Sequence, residues 1–197
     1  MTFKRLFDIL VSSLGLLVFL PFLPFIALAI LLDSPGPIFF TQDRAGQNGN
    51  PFKVIKLRTM VVDAEKMLGE LIDTVSLREP VFKIRHDPRT TRVGKILRRW
   101  SIDEIPQFIN IFLGEMSLVG PRPEEIWLVN RYSATQRLRL AVKPGLTGPM
   151  QIAGRGELDF STRLELELEY IHNNSLKRDF IIILKSIPAV ISGKGAF

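Results

Sequence analysis

Two acids stand side by side in the segment Ser101-Ile102-Asp103-Glu104-Ile105-Pro106-Gln107. Adjacent carboxylates point in different directions, so the pair suits two separate tasks: one acid as nucleophile, the other as magnesium ligand. A purely structural account competes with this. Ser101 and Glu104 have the S-x-x-E spacing of a capping box, in which each side chain satisfies a backbone amide of the first helical turn. Pro106 strains that account, because a helix capped at Ser101 places proline fifth and loses a bond. A helix capped at Asp103 puts Pro106 third, where its missing amide is harmless. Either way a helix begins here, and its dipole favours the ionised acids.

Cations are the natural complement. Arg122 is locked between Pro121 and Pro123, a guanidinium on a stiff stalk suited to bidentate grip on phosphate. A turn whose arginine merely faces water is the plain alternative. Arg155, between Gly154 and Gly156, would let a substrate approach the backbone closely. Lys83, Arg85, Arg89, Arg92, Lys95, Arg98 and Arg99 form a basic stretch opposed only by Asp87. It reads either as a solvated face or as a surface for phosphate and lipid headgroups. The net charge of +6 also points to an anionic partner. Between Lys83 and Arg99 there is no aromatic residue to stack bases, which argues against nucleic acid. His86 and His172 lack metal-ligand spacing. With no cysteine, disulfides and thiolate metal sites are excluded. The chain carries no dinucleotide fingerprint, P-loop or nucleophile elbow.

The elements that must position these residues begin with residues 14–32, LGLLVFLPFLPFIALAILL, which carry no charge. As helix they would reach about 28 Å, roughly one hydrocarbon thickness. A signal peptide, with Lys4 and Arg5 in front and Ala27-Leu28-Ala29 as its cleavage site, fits poorly because the apolar run continues through Leu32. A spanning helix must tolerate Pro21 and Pro24, which strip the carbonyls of Leu17 and Leu20 of their donors and force a kink. The third reading is a broken, re-entrant helix that enters and leaves by one face. Lys4 and Arg5 on one flank, and Arg44, Lys53, Lys56 and Arg58 against Asp33 and Asp43 on the other, leave both flanks net positive and hence cytoplasmic. The residues alone leave spanning and re-entrant helices both open.

Ser34-Pro35-Gly36-Pro37 makes a stiff exit from that segment. Strands are expected over Ile38–Thr41 and Phe52–Leu57. Ala64, Met67, Leu68, Leu71, Ile72 and Val75 recur at helical spacing, as do Ile105, Phe108, Ile109, Phe112 and Met116. Leu164, Leu168 and Ile171 mark a further helix. The last runs from about Leu176 to Ile191 and is greasy enough either for the membrane interface or for the core.

Six segments in order resemble one family. They are Phe3-Lys4-Arg5-Leu6-Phe7-Asp8; Phe52-Lys53 with Lys56-Leu57-Arg58-Thr59-Met60; Ser101 to Gln107; Gly114 to Pro123; Lys143-Pro144-Gly145-Leu146-Thr147-Gly148; and Gly154-Arg155. Together they resemble the bacterial sugar transferases, the monotopic phosphoglycosyl transferases. The resemblance implies a mostly helical α+β fold: a re-entrant membrane helix over residues 1–33, then a small catalytic domain with short strands over 34–197. It implies a bacterial inner-membrane protein on the cytoplasmic face, working on a UDP-sugar and polyprenyl (undecaprenyl) phosphate with Mg2+, in a lipid bilayer and without nucleic acid. Asp103 would be the nucleophile and Glu104 the second catalytic acid and metal ligand. Lys56, Arg58, Arg99, Arg122, Arg155 and Asp179 would contact substrate, and Pro21 and Pro24 would break the membrane helix.

The chain departs from the family pattern at two places. Leu20-Pro21 stands where a Ser-Pro is common, and Glu167 stands where an Asp is common. The segment from Met60 to Arg99, with Asp87-Pro88-Arg89, and the ending Gly193 to Phe197 resemble members that start exopolysaccharide or O-antigen chains with galactose- or glucose-1-phosphate. With no large N-terminal membrane domain, the chain would be a minimal catalytic version. Whether two copies form a homodimer is left open, as is a rival class, a membrane-tethered basic binding protein without catalytic activity.

Overall fold

The computed structural model describes residues 2–71, 79, 84, 87–193 and 195. The Thr2 side chain caps the first helix by accepting from the Arg5 amide. Helix α1 runs over Phe3–Phe19, a 3-10 turn follows over Leu20–Phe22, and α2 runs over Leu23–Asp33. Pro21 and Pro24 each sit in the first turn of a new segment, where a missing amide is tolerated. The Leu23 amide donates to the Leu20 carbonyl, so the 3-10 turn satisfies a group that Pro24 would otherwise leave bare. One stripe of this run is buried, at Asp8, Ser12, Phe19 and Ile30. Gly15 belongs to the stripe, since a Cβ there would lie 2.6 Å from the Phe108 ring. The opposite face leaves Leu10, Leu14, Leu17, Phe22, Phe25 and Leu28 exposed.

Strands β1 (Phe39–Ala45) and β2 (Pro51–Leu57) form an antiparallel hairpin in register from Phe39↔Leu57 to Ala45↔Pro51. The first strand runs four residues beyond the expected Thr41. The helix expected from Ala64 is turn as far as Met67 and helical only over α3 (Leu68–Leu71); Ile72 and Val75 lie outside the described residues. So do Lys83, Arg85 and His86 of the basic stretch, and Lys194, Ala196 and Phe197 of the ending. Helix α4 (Arg92–Arg99) is capped by Thr91, whose hydroxyl accepts from the Gly94 amide. Gly94 is required there: a Cβ would lie 2.1 Å from the Thr59 carbonyl. The rest of the chain is α5 (Gln107–Leu113), β3 (Ser117–Val119), α6 (Ile126–Val129), α7 (Ala134–Arg137), β4 (Gly145–Thr147), α8 (Pro149–Ala153), α9 (Phe160–His172) and α10 (Leu176–Ser192). Strands β3 and β4 pair in parallel.

Among the described residues, three apolar clusters organise the body, and two of them take in the N-terminal run. Phe52, Val54, Ile111, Met116, Leu118, Tyr170 and Ile182 form the larger, with Phe7 and Val11 of α1 packed against it. Phe19, Ile30, Leu57 and Leu97 form the second, with Ile102 and Ile105 against it. Burying each such side chain contributes about 1.5–3 kcal/mol, so the segment carrying the two acids is gripped from the side of the N-terminal run. Polar anchors hold both ends of that run. Lys4 pairs with buried Asp179, and Arg5 donates to the Ile111 and Phe112 carbonyls at the end of α5, at 2.5 and 2.7 Å. Asp8 accepts from the Ser117 hydroxyl and the Leu118 amide. At the far end Asp33 accepts from the Val93 amide at 2.7 Å. Helix α10 buries Asp179 and Ile182 but exposes Phe180, Ile181, Leu184, Ile187 and Ile191, an apolar face without a polar covering.

Candidate active site

Ser101 takes a left-handed conformation (φ 55°) after α4, which turns the chain sharply into a 3-10 turn over Ile102–Glu104. The expected capping box does not form. Ser101 makes no capping bond, and α5 starts at Gln107 with Pro106 as its N-cap, so Asp103 is not the cap either. The reason is that Glu104 is drawn elsewhere. Its Oε1 accepts from Arg122 Nη2 at 2.6 Å and from Lys56 Nζ at 3.1 Å, and its Oε2 from Arg122 Nη1 at 3.4 Å. Burial alone would raise the Glu104 pKa, but the Arg122 and Lys56 cations outweigh it and hold the carboxyl well below the usual range.

Asp103 is buried and accepts no side-chain hydrogen bond among the described residues. Burial first, then the charge of Glu104, pushes its carboxyl above the ordinary 3.8, and Lys56, Arg98 and Arg122 pull it back only in part. The helix dipole therefore does not rule this pair as the sequence implied. One acid is a fixed anion between two cations, and its neighbour is an unpartnered carboxyl whose proton is held more tightly.

Both acids line a cleft of about 1050 Å³ together with Lys56, Arg98, Arg122 and Arg155. Lys56 comes from β2, Arg98 from α4, and Arg122 from the loop after β3. That loop is pressed against β4 so closely that a Cβ on Gly145 would lie 2.1 Å from the Gly120 nitrogen. This explains both glycine-rich segments: they let the Arg122 loop seat beside the acids. Arg155 Nη2 donates to the Ser101 hydroxyl at 3.2 Å, two residues from Asp103. The apolar side chains of Val11, Phe108, Ile183 and Ile187 line the same cleft, so charged and apolar walls meet in it.

Three expected substrate contacts are placed differently. Arg99 is exposed, with its guanidinium 5.8 Å from the Trp100 ring, and does not line the cleft. Its neighbour Arg98 does, donating to the Thr59 hydroxyl at 2.9 Å while its charge acts on Asp103. One residue on a helix is a turn of roughly 100°, enough to exchange the two. Asp179 lies away from the cleft, paired with Lys4 and accepting from the Tyr170 hydroxyl at 2.6 Å. Arg58 borders the cleft, yet it is buried and donates to the Pro37 carbonyl, the Ser34 hydroxyl and the Ser34 carbonyl. It pins the exit of α2. Glu167 is buried and ion-paired with Arg139 at 2.6 Å, a contact between α9 and a distant turn that no local pattern announces.

Magnesium typically takes one or two carboxylates from the protein and completes its shell with phosphate oxygens and water. Among the described residues no three acids or histidines converge. Asp103 and Glu104 are adjacent carboxylates of the kind such an ion would use, and both Glu104 oxygens are held here by Arg122 and Lys56.

The family described as bacterial sugar transferase matches residues 1–193. The exopolysaccharide production protein ExoY of Rhizobium meliloti (strain 1021) is 38% identical over 98% of this chain and 88% of its own length. The galactosyl transferase CpsE of Streptococcus agalactiae serotype III (strain NEM316) is 41% identical over 98% of this chain, but only 43% of its own length is covered. The UDP-glucose:undecaprenyl-phosphate glucose-1-phosphate transferase of Escherichia coli (strain K12) is 41% identical over 98% of this chain and 41% of its own length. The chain thus spans most of the first relative and under half of the other two. Matched along nearly its whole length, it belongs to the bacterial sugar transferase family and is an enzyme of the phosphoglycosyl transferase kind.

Proposed function

We propose that the chain transfers a hexose-1-phosphate from a UDP-sugar to polyprenyl (undecaprenyl) phosphate and releases UMP, as the first step of a bacterial polysaccharide or glycoconjugate. One observation carries the reading: a bare, buried carboxyl, Asp103, stands beside a carboxylate fixed between cations, in a cleft that joins charged and apolar walls. Asp103 attacks the β-phosphorus of the UDP-sugar. The bond from that phosphorus to the oxygen bridging to the α-phosphorus breaks, and UMP leaves with the electron pair. An oxygen of the lipid phosphate then attacks the same phosphorus, Asp103 departs as carboxylate, and a polyprenyl-diphospho-sugar results. Arg122, Arg155, Arg98 and Lys56 meet the phosphate charge, since phosphoryl transfer depends mostly on positioning and charge stabilisation. Magnesium would be held by Glu104 and, when bound, would neutralise diphosphate charge.

The N-terminal run fits a re-entrant helix at the cytoplasmic face. Lys4, Arg5 and Asp8 near its start and Asp33 near its end are hydrogen-bonded to the same body. A helix crossing the bilayer would carry one end about 30 Å away from that body. Its exposed leucines and phenylalanines, with the bare face of α10, form the kind of apolar surface that enters lipid.

The test is UMP release from a panel of UDP-hexoses by the full chain with magnesium and undecaprenyl phosphate. The reading expects release with at least one hexose, dependent on Asp103. A binding protein without catalytic activity would hold anionic vesicles and release none.

A further inference from the structure

Arg122 has one backbone donor and one backbone acceptor, and a single buried ion pair holds both. Its amide donates to Glu167 Oε1 at 3.2 Å, and its carbonyl accepts from Arg139 Nη2 at 3.1 Å. Arg139 and Glu167 are joined by two short bonds, Nε to Oε2 at 2.6 Å and Nη2 to Oε1 at 2.8 Å. Both are almost wholly buried, at 2% and 1% exposure. Arg139 also donates to the Tyr132 hydroxyl, and its charge is shared with Glu124, two residues past Arg122. On the other side the Pro121 carbonyl accepts from the Gly145 amide at 2.8 Å. Pro121 and Pro123 have no amide hydrogen of their own. The amide and carbonyl of Arg122 and the carbonyl of Pro121 are therefore all engaged.

Burying an ion pair is weak evidence of added stability, because desolvation offsets most of the attraction. Its geometry here suggests a different use. We infer that Glu167 and Arg139 are positioning residues for the transfer reaction. By clamping both ends of the Arg122 residue they aim its guanidinium, which reaches 2.6 Å from Glu104, at the donor diphosphate. The inference rests on the reading that Arg122 grips that diphosphate. An error of about 1 Å in such a group can lower rates by up to about a hundredfold.

The experiment is a double-mutant cycle on the full chain in detergent, read by UDP binding and, separately, by UMP release. Glu167→Asp keeps the charge but shortens the reach to the Arg122 amide. It should weaken UDP binding roughly tenfold in the wild-type background and less than about twofold in Arg122→Ala, because the guanidinium that the clamp aims would already be gone. The same fold-loss in both backgrounds would overturn the inference and leave the pair as structural packing. If Glu167→Asp melts early, Arg139→Lys serves in its place, since it keeps a cation for Glu167 but loses the forked donor to the Arg122 carbonyl. A wild-type chain that binds UDP yet releases no UMP would sink the proposed reaction while the binding cycle still decides the clamp.

Discussion

Lys4 and Asp179 lie 175 residues apart in sequence and meet as an ion pair at the edge of the larger core, under the hydroxyl of Tyr170. The pair ties the first turn of α1 to the first turn of α10, the two elements with the largest bare apolar faces. Lys4→Ala leaves Asp179 buried without its cation. Losing one partner of a buried pair usually costs about 3–5 kcal/mol, and roughly 2 is expected here because Lys4 is partly exposed. Thermal melts should record the loss, and Lys4→Met with Asp179→Leu should recover much of it. An unchanged melt in Lys4→Ala would show that the pair does not hold the helix.

Asp103 and Glu104 predict opposite responses to pH. The folded-state pKa of Asp103 is raised by burial and by Glu104. Its stabilising contribution is therefore present below the unfolded value, near pH 4, and is lost as pH rises through the folded value. Above the unfolded value the raised pKa works against the fold, so Asp103→Asn should melt at higher temperature than wild type, with the gap closing in acid. With Asp103 as the proposed nucleophile, the same shift should set the acid limb of activity, because only a carboxylate attacks. Lys56→Gln removes a cation that favours ionisation, and should move that limb to higher pH. A lower melting temperature for Asp103→Asn at pH 7 would contradict this account.

Arg58 separates an anchor from a substrate contact. Arg58→Lys keeps the charge but cannot serve Ser34 and Pro37 together. A stability loss of about 1–3 kcal/mol is expected from the unmet carbonyls, with KM for the UDP-sugar within about twofold of wild type. A raised KM with an unchanged melt would return Arg58 to the substrate.

The proposed re-entrant path of the N-terminal run can be tested through its prolines, which divide 31 residues, together long enough to cross, into segments each too short to do so. Leu6 to Leu20 spans about 22 Å and Pro24 to Leu32 about 13 Å, against a core of about 30 Å. Thr2→Cys is convenient in a chain without cysteine. In intact cells this cysteine should be protected from a membrane-impermeant reagent, and Pro21→Ala with Pro24→Ala should expose it. Labelling without the proline changes would mark an ordinary spanning helix.

Periodicity and turn chemistry made much of this fold readable. The hairpin, α9, α10 and the N-terminal run lie where alternation, apolar spacing and proline placed them. Lys56, Arg122 and Arg155 line the cleft with the two acids, as the family resemblance implied. What could not be read was set by tertiary geometry. The left-handed Ser101 breaks the helix that would have carried the capping box, and the facing of α4 selects Arg98 over Arg99. Asp179 and Arg58 have partners in other elements, Lys4 in α1 and the α2 exit, and Glu167 meets Arg139 across 28 residues. Such pairs leave no trace in local pattern, because charge complementarity fixes no address along the chain.

Covalent carriage of the sugar phosphate on Asp103 is the step on which the proposed reaction turns. The direct measurement is intact and peptide mass spectrometry of the full chain mixed with magnesium and a UDP-hexose, in the absence of any lipid acceptor. The proposed reaction should leave UMP in the supernatant and a gain of one hexose phosphate on the peptide containing Asp103, discharged when undecaprenyl phosphate is added and absent in Asp103→Asn. UMP release that requires the lipid from the outset, with no adduct on Asp103, would mean a direct transfer and would contradict it.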